Sequence, residues 1–287
     1  MKSLKKCLIL FIVILFTAIT VNAQCPCDWE TPQKMQLTSP ITRAITNALG
    51  MNFIAKQTAK KIIKNELNKA APGNYDVDID SFSAIDLKNG RFRSLRIHGD
   101  NISSKGIYVS SVDLKTLSEY NSIDYNSKPI QFINDFPMSF SSTISEDDLN
   151  KTLVNMGYIK KLTNINIVGV SLFTVDNVAF KLKNNKIYLI AQMKAPFLMG
   201  ERLVKFTFSG KLNVQDGKIV LDDVCSDNLR NINLKKFVDV INNMNPFDLP
   251  MNLFEGSDTN LSIKDVKIID NKIYIDGIIV IKRTNNG

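Results

Sequence analysis

Apolar residues recur at helical spacing through residues 40–70, the longest amphipathic stretch of the chain. Such a stripe predicts a helix that buries one broad face, with Ser39 as its N-cap and Pro40 in its first turn. Arg43, Lys61 and Lys64 fall on the opposite side. The predicted apolar face comprises Ile41, Ala44, Ile45, Ala48, Leu49, Ala55, Ala59, Ile62, Ile63, Leu67 and Ala70.

Gly50 interrupts this helical pattern. Beside it, Met51, Phe53 and Ile54 add apolar surface to the otherwise polar side. The helix is therefore expected either to bend at Gly50 or to be covered on more than one side.

Nearly everything after residue 74 alternates as short strands separated by turn dipeptides, which predicts a β-rich domain. Two further short helices are expected, one starting at Ser145 and one over residues 229–245. The fold class is therefore α+β, with a long, curved, largely antiparallel sheet wrapped around the N-terminal helix. Turns are predicted at Asn89–Gly90, Asn184–Asn185, Asp216–Gly217 and Asp270–Asn271, and at Gly200.

One strand region changes its phase. Ile107 and Val109 alternate in one register, and Val112 and Leu114 in the other. A shift of one residue predicts a β-bulge, a device that bends and coils a sheet.

The N-terminus has the pattern of a signal peptide over residues 1–23, with three early lysines, an apolar run and a small-residue end. An uncleaved anchor is the alternative, and Gln24 argues against a lipoprotein anchor at Cys25. Export predicts a periplasmic or envelope-associated protein in a bacterium. We expect an extended lead-in over 24–39, a single domain over 40–281 and a tail over 282–287.

The net charge of the chain limits the classes of binding partner. Removing Lys2, Lys5 and Lys6 with the signal segment lowers the formal net charge from +8 to +5. This mild excess suits an anionic membrane surface or lipid head group. The basic residues are scattered rather than clustered with aromatic residues, which argues against nucleic acid.

Three cysteines remain after cleavage: Cys25, Cys27 and Cys225. In an exported protein they are disulfide candidates, and pairing of Cys25 or Cys27 with Cys225 is favoured over a bridge within the C-x-C pair. A metal site is disfavoured because no histidines lie nearby.

The chain lacks the motifs of common catalysts. It has one histidine, His98, no G-x-S-x-G and no phosphate-binding glycine loop, so no catalytic residue and no cofactor are expected. His98 and Asp100 as a catalytic pair are disfavoured against a polar strand end. Asp76, Asp78 and Asp80 form a row that suits either Ca²⁺ or, more commonly, a solvated strand face.

Apolar residues exceed ordinary alternation in the second half of the chain. Residues 187–191 are apolar on both strand faces, and the expected hairpin tip at 196–199 is apolar where loops are usually polar. Such surfaces line a core, an apolar cavity or a membrane contact.

The order of several segments resembles the LmeA-like phospholipid-binding proteins of the bacterial envelope. The segments are the long helix, LKNGRFRSLRIHGDNISSKGIYVSSVDL (87–114), ISEDDLNKTL, N-P-F-D-L-P and the final NLSIKDVKIIDNKIYIDGIIVI. That family is similar to tubular lipid-binding domains, in which a curved sheet wraps a helix and leaves an apolar tunnel. The Cys25-Pro-Cys27 lead-in and the basic charge depart from the actinobacterial members.

The resemblance implies a non-catalytic, exported protein that holds phospholipid or another acyl lipid between helix and sheet. It would present or transfer that lipid at a membrane surface, with an envelope enzyme as a further partner. An envelope adaptor with a packed interior is the alternative, and a hydrolase acting through two carboxylates is a third. The candidate lipid-binding residues are Ile45, Leu49, Phe53, Ile62, Phe173, Phe180, Leu189, Phe197, Leu198 and Met199.

Overall fold

The computed structural model describes Trp29 and residues 35–124, 127, 131–156, 166–167, 170–171, 174–195, 200–226 and 259–284. Within these ranges the protein is α+β, with few helices and antiparallel pairing between neighbouring strands. The predicted signal segment, the helix expected over 229–245 and the apolar hairpin tip lie outside the described residues.

The N-terminal helical stretch forms two helices, because Gly50 stands between them with a left-handed φ of 68°. A left-handed residue ends an α-helix, and glycine adopts it at least cost. The bend predicted at Gly50 is therefore a complete break. Ser39 caps the first helix as expected, its side chain accepting from the Thr42 N–H. The four described helices are α1 (Pro40–Ala48), α2 (Met51–Ala70), α3 (Ala84–Lys88) and α4 (Glu146–Asn155).

A six-stranded antiparallel sheet forms one layer, in the order β1-β3-β4-β7-β15-β14. Its alternation is regular where predicted, with Leu95 and Ile97 buried and Arg96 exposed. The strands are β1 (Asn74–Asp80), β3 (Ser94–Ser104), β4 (Ile107–Thr116), β7 (Phe136–Ser145), β14 (Thr259–Ile269) and β15 (Lys272–Ile281). A small second sheet contains β2 (Arg91–Phe92), β5 (Asn121–Asp124) and β6 (Gln131–Phe132).

A four-stranded antiparallel sheet forms the other layer, in the order β10-β11-β12-β13. Its strands are β10 (Thr174–Lys183), β11 (Lys186–Ala195), β12 (Gly200–Gln215) and β13 (Lys218–Ser226). A two-stranded ribbon joins β8 (Asn166–Ile167) and β9 (Val170–Ser171).

Helix α4 joins the two layers through its polar side chains. The Asn150 amide pairs with the backbone of edge strand β10, donating to the Phe180 carbonyl at 3.0 Å and accepting from its N–H at 2.7 Å. Glu146 accepts from the Leu182 N–H at 2.9 Å. These bonds satisfy part of an otherwise unpaired strand edge.

Three predicted two-residue turns are confirmed, since both central residues of each have positive φ, as a tight hairpin requires. They are Asn184–Asn185, Asp216–Gly217 and Asp270–Asn271. Gly200, predicted to mark a turn, is the first residue of β12 and pairs with Ala195, the last residue of β11; residues 196–199 between them lie outside the described residues.

The prediction of a hairpin at Asn89–Gly90 is wrong. Asn89 is the C-cap of α3, a short helix that the strand pattern did not indicate. Gly90 follows with a φ of 73°, and a Cβ there would lie 1.9 Å from the Ile123 carbonyl oxygen. The glycine thus permits a close backbone approach to β5 rather than a two-residue turn between strands.

The bulge predicted between Val109 and Val112 is also wrong, because β4 keeps one register against both of its neighbours. Strand β3 changes phase at the same level, where Asn101 has a φ of 52°. The two strands therefore change their burial phase together without an extra residue. Register shifts occur instead at Val175/Asn177, Lys194/Ala195, Ser209/Lys211 and Ile263/Asp265.

One core cluster draws on both layers. The six-stranded sheet contributes fully buried side chains such as Met138 and Ile273, and the four-stranded sheet contributes Leu182, Ile187 and Ile219. Leu67 of α2 belongs to the same cluster, so the C-terminal part of that helix closes the core beside β1.

Candidate functional site

An apolar stripe runs along α1 and into the first turn of α2. We define it as Ile41, Ile45, Leu49 and Phe53, large apolar residues on either side of Gly50, which are 73%, 53%, 67% and 68% exposed. Met51 and Ile54 lie beside the stripe and are also exposed. An amphipathic helix normally buries its apolar face, so an apolar face left outward marks a candidate interaction surface.

The stripe faces outward because the polar side of α1 faces the protein. Thr46 is buried and donates to the Arg43 carbonyl at 3.0 Å, and Arg43 is half-buried. On the helix that follows, the Asn52 side chain accepts from the Ala84 N–H at 2.5 Å. A polar contact to α3 therefore comes from Asn52 of α2, while Thr46 and Arg43 mark the side of α1 that is turned toward the protein.

The fully buried carboxylate of Asp86 anchors the lead-in to α1. It accepts from the Thr38 N–H at 3.0 Å, from the Thr38 hydroxyl at 2.8 Å and from the Ser83 hydroxyl at 2.6 Å. Burial alone would raise the pKa of Asp86, but these hydrogen bonds lower it below its usual value. The carboxylate is thus ionised and fixed, which fixes the chain directly before α1.

Three lysines of α2 form a ladder of ion pairs with three aspartates of β1. Their ammonium groups approach the carboxylates at distances of 2.5, 2.7 and 3.1 Å. Four helical residues rise about 6 Å and two strand residues about 6.7 Å, so the two repeats match over this length. The pairs are Lys56–Asp80, Lys60–Asp78 and Lys64–Asp76.

The ladder favours the interpretation of the aspartate row as a solvated strand face over its interpretation as a Ca²⁺ site. Hydrogen bonding and charge from Lys64 lower the pKa of Asp76, and Lys56 has the same effect on the pKa of Asp80. The row therefore carries paired carboxylates rather than a calcium site. Among the described residues, no group of three or more His, Cys, Asp or Glu side chains could hold a metal ion.

His98 lies between two carboxylates on the polar face of the six-stranded sheet. Its Nδ1 is 3.1 Å from Asp113 and its Nε2 is 3.1 Å from Asp100. Burial lowers the pKa of His98, but Asp113 and Asp100 outweigh it and raise the pKa above its usual value. Both ring nitrogens are occupied by carboxylates, which favours a polar ion-pair cluster over the catalytic pair considered from the sequence.

The acidic cluster at residues 146–148 is explained by the start of α4. Ser145 and Asp148 form a reciprocal capping box, as the sequence predicted. Glu146 pairs with Lys181 at 2.5 Å and so links α4 to β10. These carboxylates have structural partners.

The candidate lipid-binding residues fall into two groups. Ile45, Leu49 and Phe53 share the apolar stripe, whereas Phe180 and Leu189 are cross-strand partners on β10 and β11 and are half-buried. Ile62 is half-buried on α2. The structure does not bring the two groups into one described surface. Phe173, Phe197, Leu198 and Met199 lie outside the described residues.

Sequence reasoning left Ile41 out of the candidate site, although its position four residues before Ile45 is the signal that identifies it. It also did not pair the lysines of α2 with the aspartates of β1. The matching i+4 and i+2 spacings were visible, but which helix face meets which strand is a tertiary property.

Cys225 is exposed on β13, and its proposed partners Cys25 and Cys27 lie outside the described residues. The disulfide thus stays a prediction. None of the described helices is both long and apolar enough to cross a membrane.

Comparison with models of known protein families, with curated protein sequences and with solved structures finds no match to this chain.

Proposed function

We propose that the protein is an exported, non-catalytic phospholipid-binding protein of the bacterial envelope. The observation that carries the proposal is the apolar stripe, a run of four large apolar side chains on helices whose polar side faces the protein. Water-exposed apolar surface of this extent is unfavourable, at about 25 cal/mol per Å², unless a ligand covers it.

In this proposal the acyl chain lies against the apolar stripe, at the exposed N-terminal end of the helical segment. The C-terminal part of α2 argues against a chain beneath the whole helix, because Ala59, Ile63 and Leu67 pack directly on the core. Each methylene transferred from water to the stripe contributes about 0.8 kcal/mol. The resemblance to LmeA-like proteins supports the same ligand class.

Solvent extraction of protein purified without detergent tests this proposal. We expect mass spectrometry of the extract to find phospholipid in near-stoichiometric amount. The triple variant I45S/L49S/F53S should lose most of it. The matched control I133S/V154S/I269S replaces exposed apolar residues away from the stripe and should keep the lipid. A folded wild-type protein that releases no lipid, or equal lipid in both variants, contradicts the proposal.

An adaptor with a packed interior is the second candidate. It is favoured by one specific observation: the described core is filled by large side chains such as Phe132, Phe136 and Met138, each at most 2% exposed. The adaptor function predicts a lipid-free extract from a correctly folded protein, so the same experiment separates the two.

A further inference from the structure

We infer that the apolar stripe docks the protein on an anionic bilayer, with α1 lying in the membrane interface. This inference rests on the proposed function, because it names the surface from which the lipid would be taken or to which it would be given. Three observations carry it: the exposure of the stripe, the charges around it and its size.

The exposure of the stripe on both sides of Gly50 suits a membrane contact. Ile41 and Ile45 point outward from α1, and Phe53 and Ile54 point outward from the first turn of α2 beyond the Gly50 break. Helices that lie in the membrane interface bury an apolar face of this kind at the boundary between head groups and acyl chains. Because the polar side chains Thr46 and Arg43 are the ones that α1 turns toward the protein, the stripe can meet a membrane without unfolding of the helix pair.

The charges around the stripe suit an anionic surface. Between residues 35 and 65 the chain has five basic residues and no acidic residue, so no carboxylate of α1 or of the first turns of α2 would meet an anionic head group. Three of the five lysines and arginines are engaged in the ladder with β1. Lys61 is exposed and lies seven residues after Ile54, on the same helix face. A lysine near an anionic bilayer contributes attraction that salt screens.

The size of the stripe disfavours a second copy of the chain as the occupant. A stable dimer buries roughly 800 Å² on each partner, more than four partly exposed side chains offer. A bilayer needs no complementary pocket and accepts a narrow apolar ridge.

Vesicle flotation tests the inference. The full chain is mixed with vesicles of phosphatidylcholine and phosphatidylglycerol in equal parts, and in parallel with phosphatidylcholine alone. We expect binding to the anionic vesicles that is clearly stronger than binding to the neutral ones and falls with salt. I45S/L49S/F53S should bind the anionic vesicles at least about tenfold more weakly than the wild type does. I133S/V154S/I269S should bind as the wild type does.

Two charge-reversal variants keep the inference testable if the triple variant does not fold. K61E reverses the exposed charge on α2 two turns after Ile54 and should weaken anionic binding about fivefold or more. K105E reverses an exposed charge at the β3–β4 turn and should leave binding nearly unchanged. Circular dichroism and Tm of each variant separate lost binding from lost folding.

The docking inference is overturned if the protein shows no preference for anionic vesicles, or if the stripe variant and its control bind equally. A wild-type dimer in solution that I45S/L49S/F53S converts to a monomer also overturns it, because a second copy would then cover the stripe. Lipid in the solvent extract without vesicle binding refutes docking and leaves the proposed function standing. Vesicle binding with a lipid-free extract refutes lipid capture and leaves docking standing.

Discussion

Helix α1 and the C-terminal part of α2 come from one sequence pattern but have opposite environments. In α1 the apolar positions Ile41 and Ile45 face solvent, whereas in α2 the apolar position Leu67 is fully buried in the core. The charged residues differ too, because the lysines of α2 pair with β1. Similar amphipathic segments thus serve different purposes: α2 closes the core, and α1 presents an apolar surface.

Gly50 makes this difference possible. Its left-handed backbone ends α1 and starts α2 on a new axis, so the two apolar faces need not point the same way. No atom lies within 4 Å of the position that a Cβ would take at Gly50. The glycine is required by its backbone angle and not by crowding, which separates it from Gly90.

The largest effect is expected when a leucine of α2 and a leucine at the end of α1 are each replaced by alanine. L67A removes a fully buried side chain and should lower the free energy of unfolding by about 2–5 kcal/mol. L49A removes a side chain that is 67% exposed and should change it by less than about 0.5 kcal/mol. Urea denaturation measures both. Similar losses in the two variants would mean that α1 is packed as α2 is.

A smaller effect is expected at the break between the helices. G50A forces a residue with a Cβ into a left-handed backbone and should lower the free energy of unfolding by about 1 kcal/mol. G50N should cost less, because asparagine tolerates this conformation. The comparison is made by thermal and urea unfolding. An increase in stability for G50A would show that the chain prefers one continuous helix here.

The lysine ladder should contribute still less. The pair Lys60–Asp78 is partly exposed, and a double-mutant cycle with K60A and D78A should give a coupling of about 0.3–1 kcal/mol at low salt. The coupling energy should shrink in 1 M salt, because the Debye length is then only about 3 Å and exposed charges are screened from each other. A coupling that is large and independent of salt would mean that the ladder is shielded from water.

The smallest expected effect is on the dependence of the unfolding free energy on pH in acid. The pKa of Asp80 is lowered in the folded protein, so its contribution to stability is present above its unfolded pKa, about 3.9, and is lost as the pH falls further. D80N should therefore flatten the dependence of unfolding free energy on pH below about pH 4. Unfolding curves collected from pH 6 down to pH 2.5 test this sign, and a steeper dependence in D80N would contradict it.

Local signals predicted much of the fold. The turns at Asn184–Asn185 and Asp270–Asn271, the capping box of α4 and the break at Gly50 depend on backbone angles that short polar residues and glycine favour by themselves. Such signals require no knowledge of distant partners. The sequence therefore predicts them without a structure.

Features that depend on tertiary partners were missed or wrong. The dipeptide Asn89–Gly90 is typical of a hairpin turn. It instead follows α3, and the backbone of β5 lies close to Gly90. The phase shift in β4 is matched by a phase shift in β3 at Asn101, where the backbone has a positive φ, and the sequence of one strand does not reveal such a match. The stripe shows the same limit: apolar spacing identifies Ile45 and Leu49 as one face, but only their packing decides whether that face is inside.

The most direct test measures whether the stripe enters a bilayer. A tryptophan is placed at Phe53 in a W29F background, with I269W as the matched exposed control, and its emission is followed as anionic vesicles containing brominated lipid are added. Our account predicts a blue shift and strong quenching for F53W and little change for I269W, because only the stripe contacts acyl chains. Equal and weak responses at both positions, from folded proteins, would contradict it.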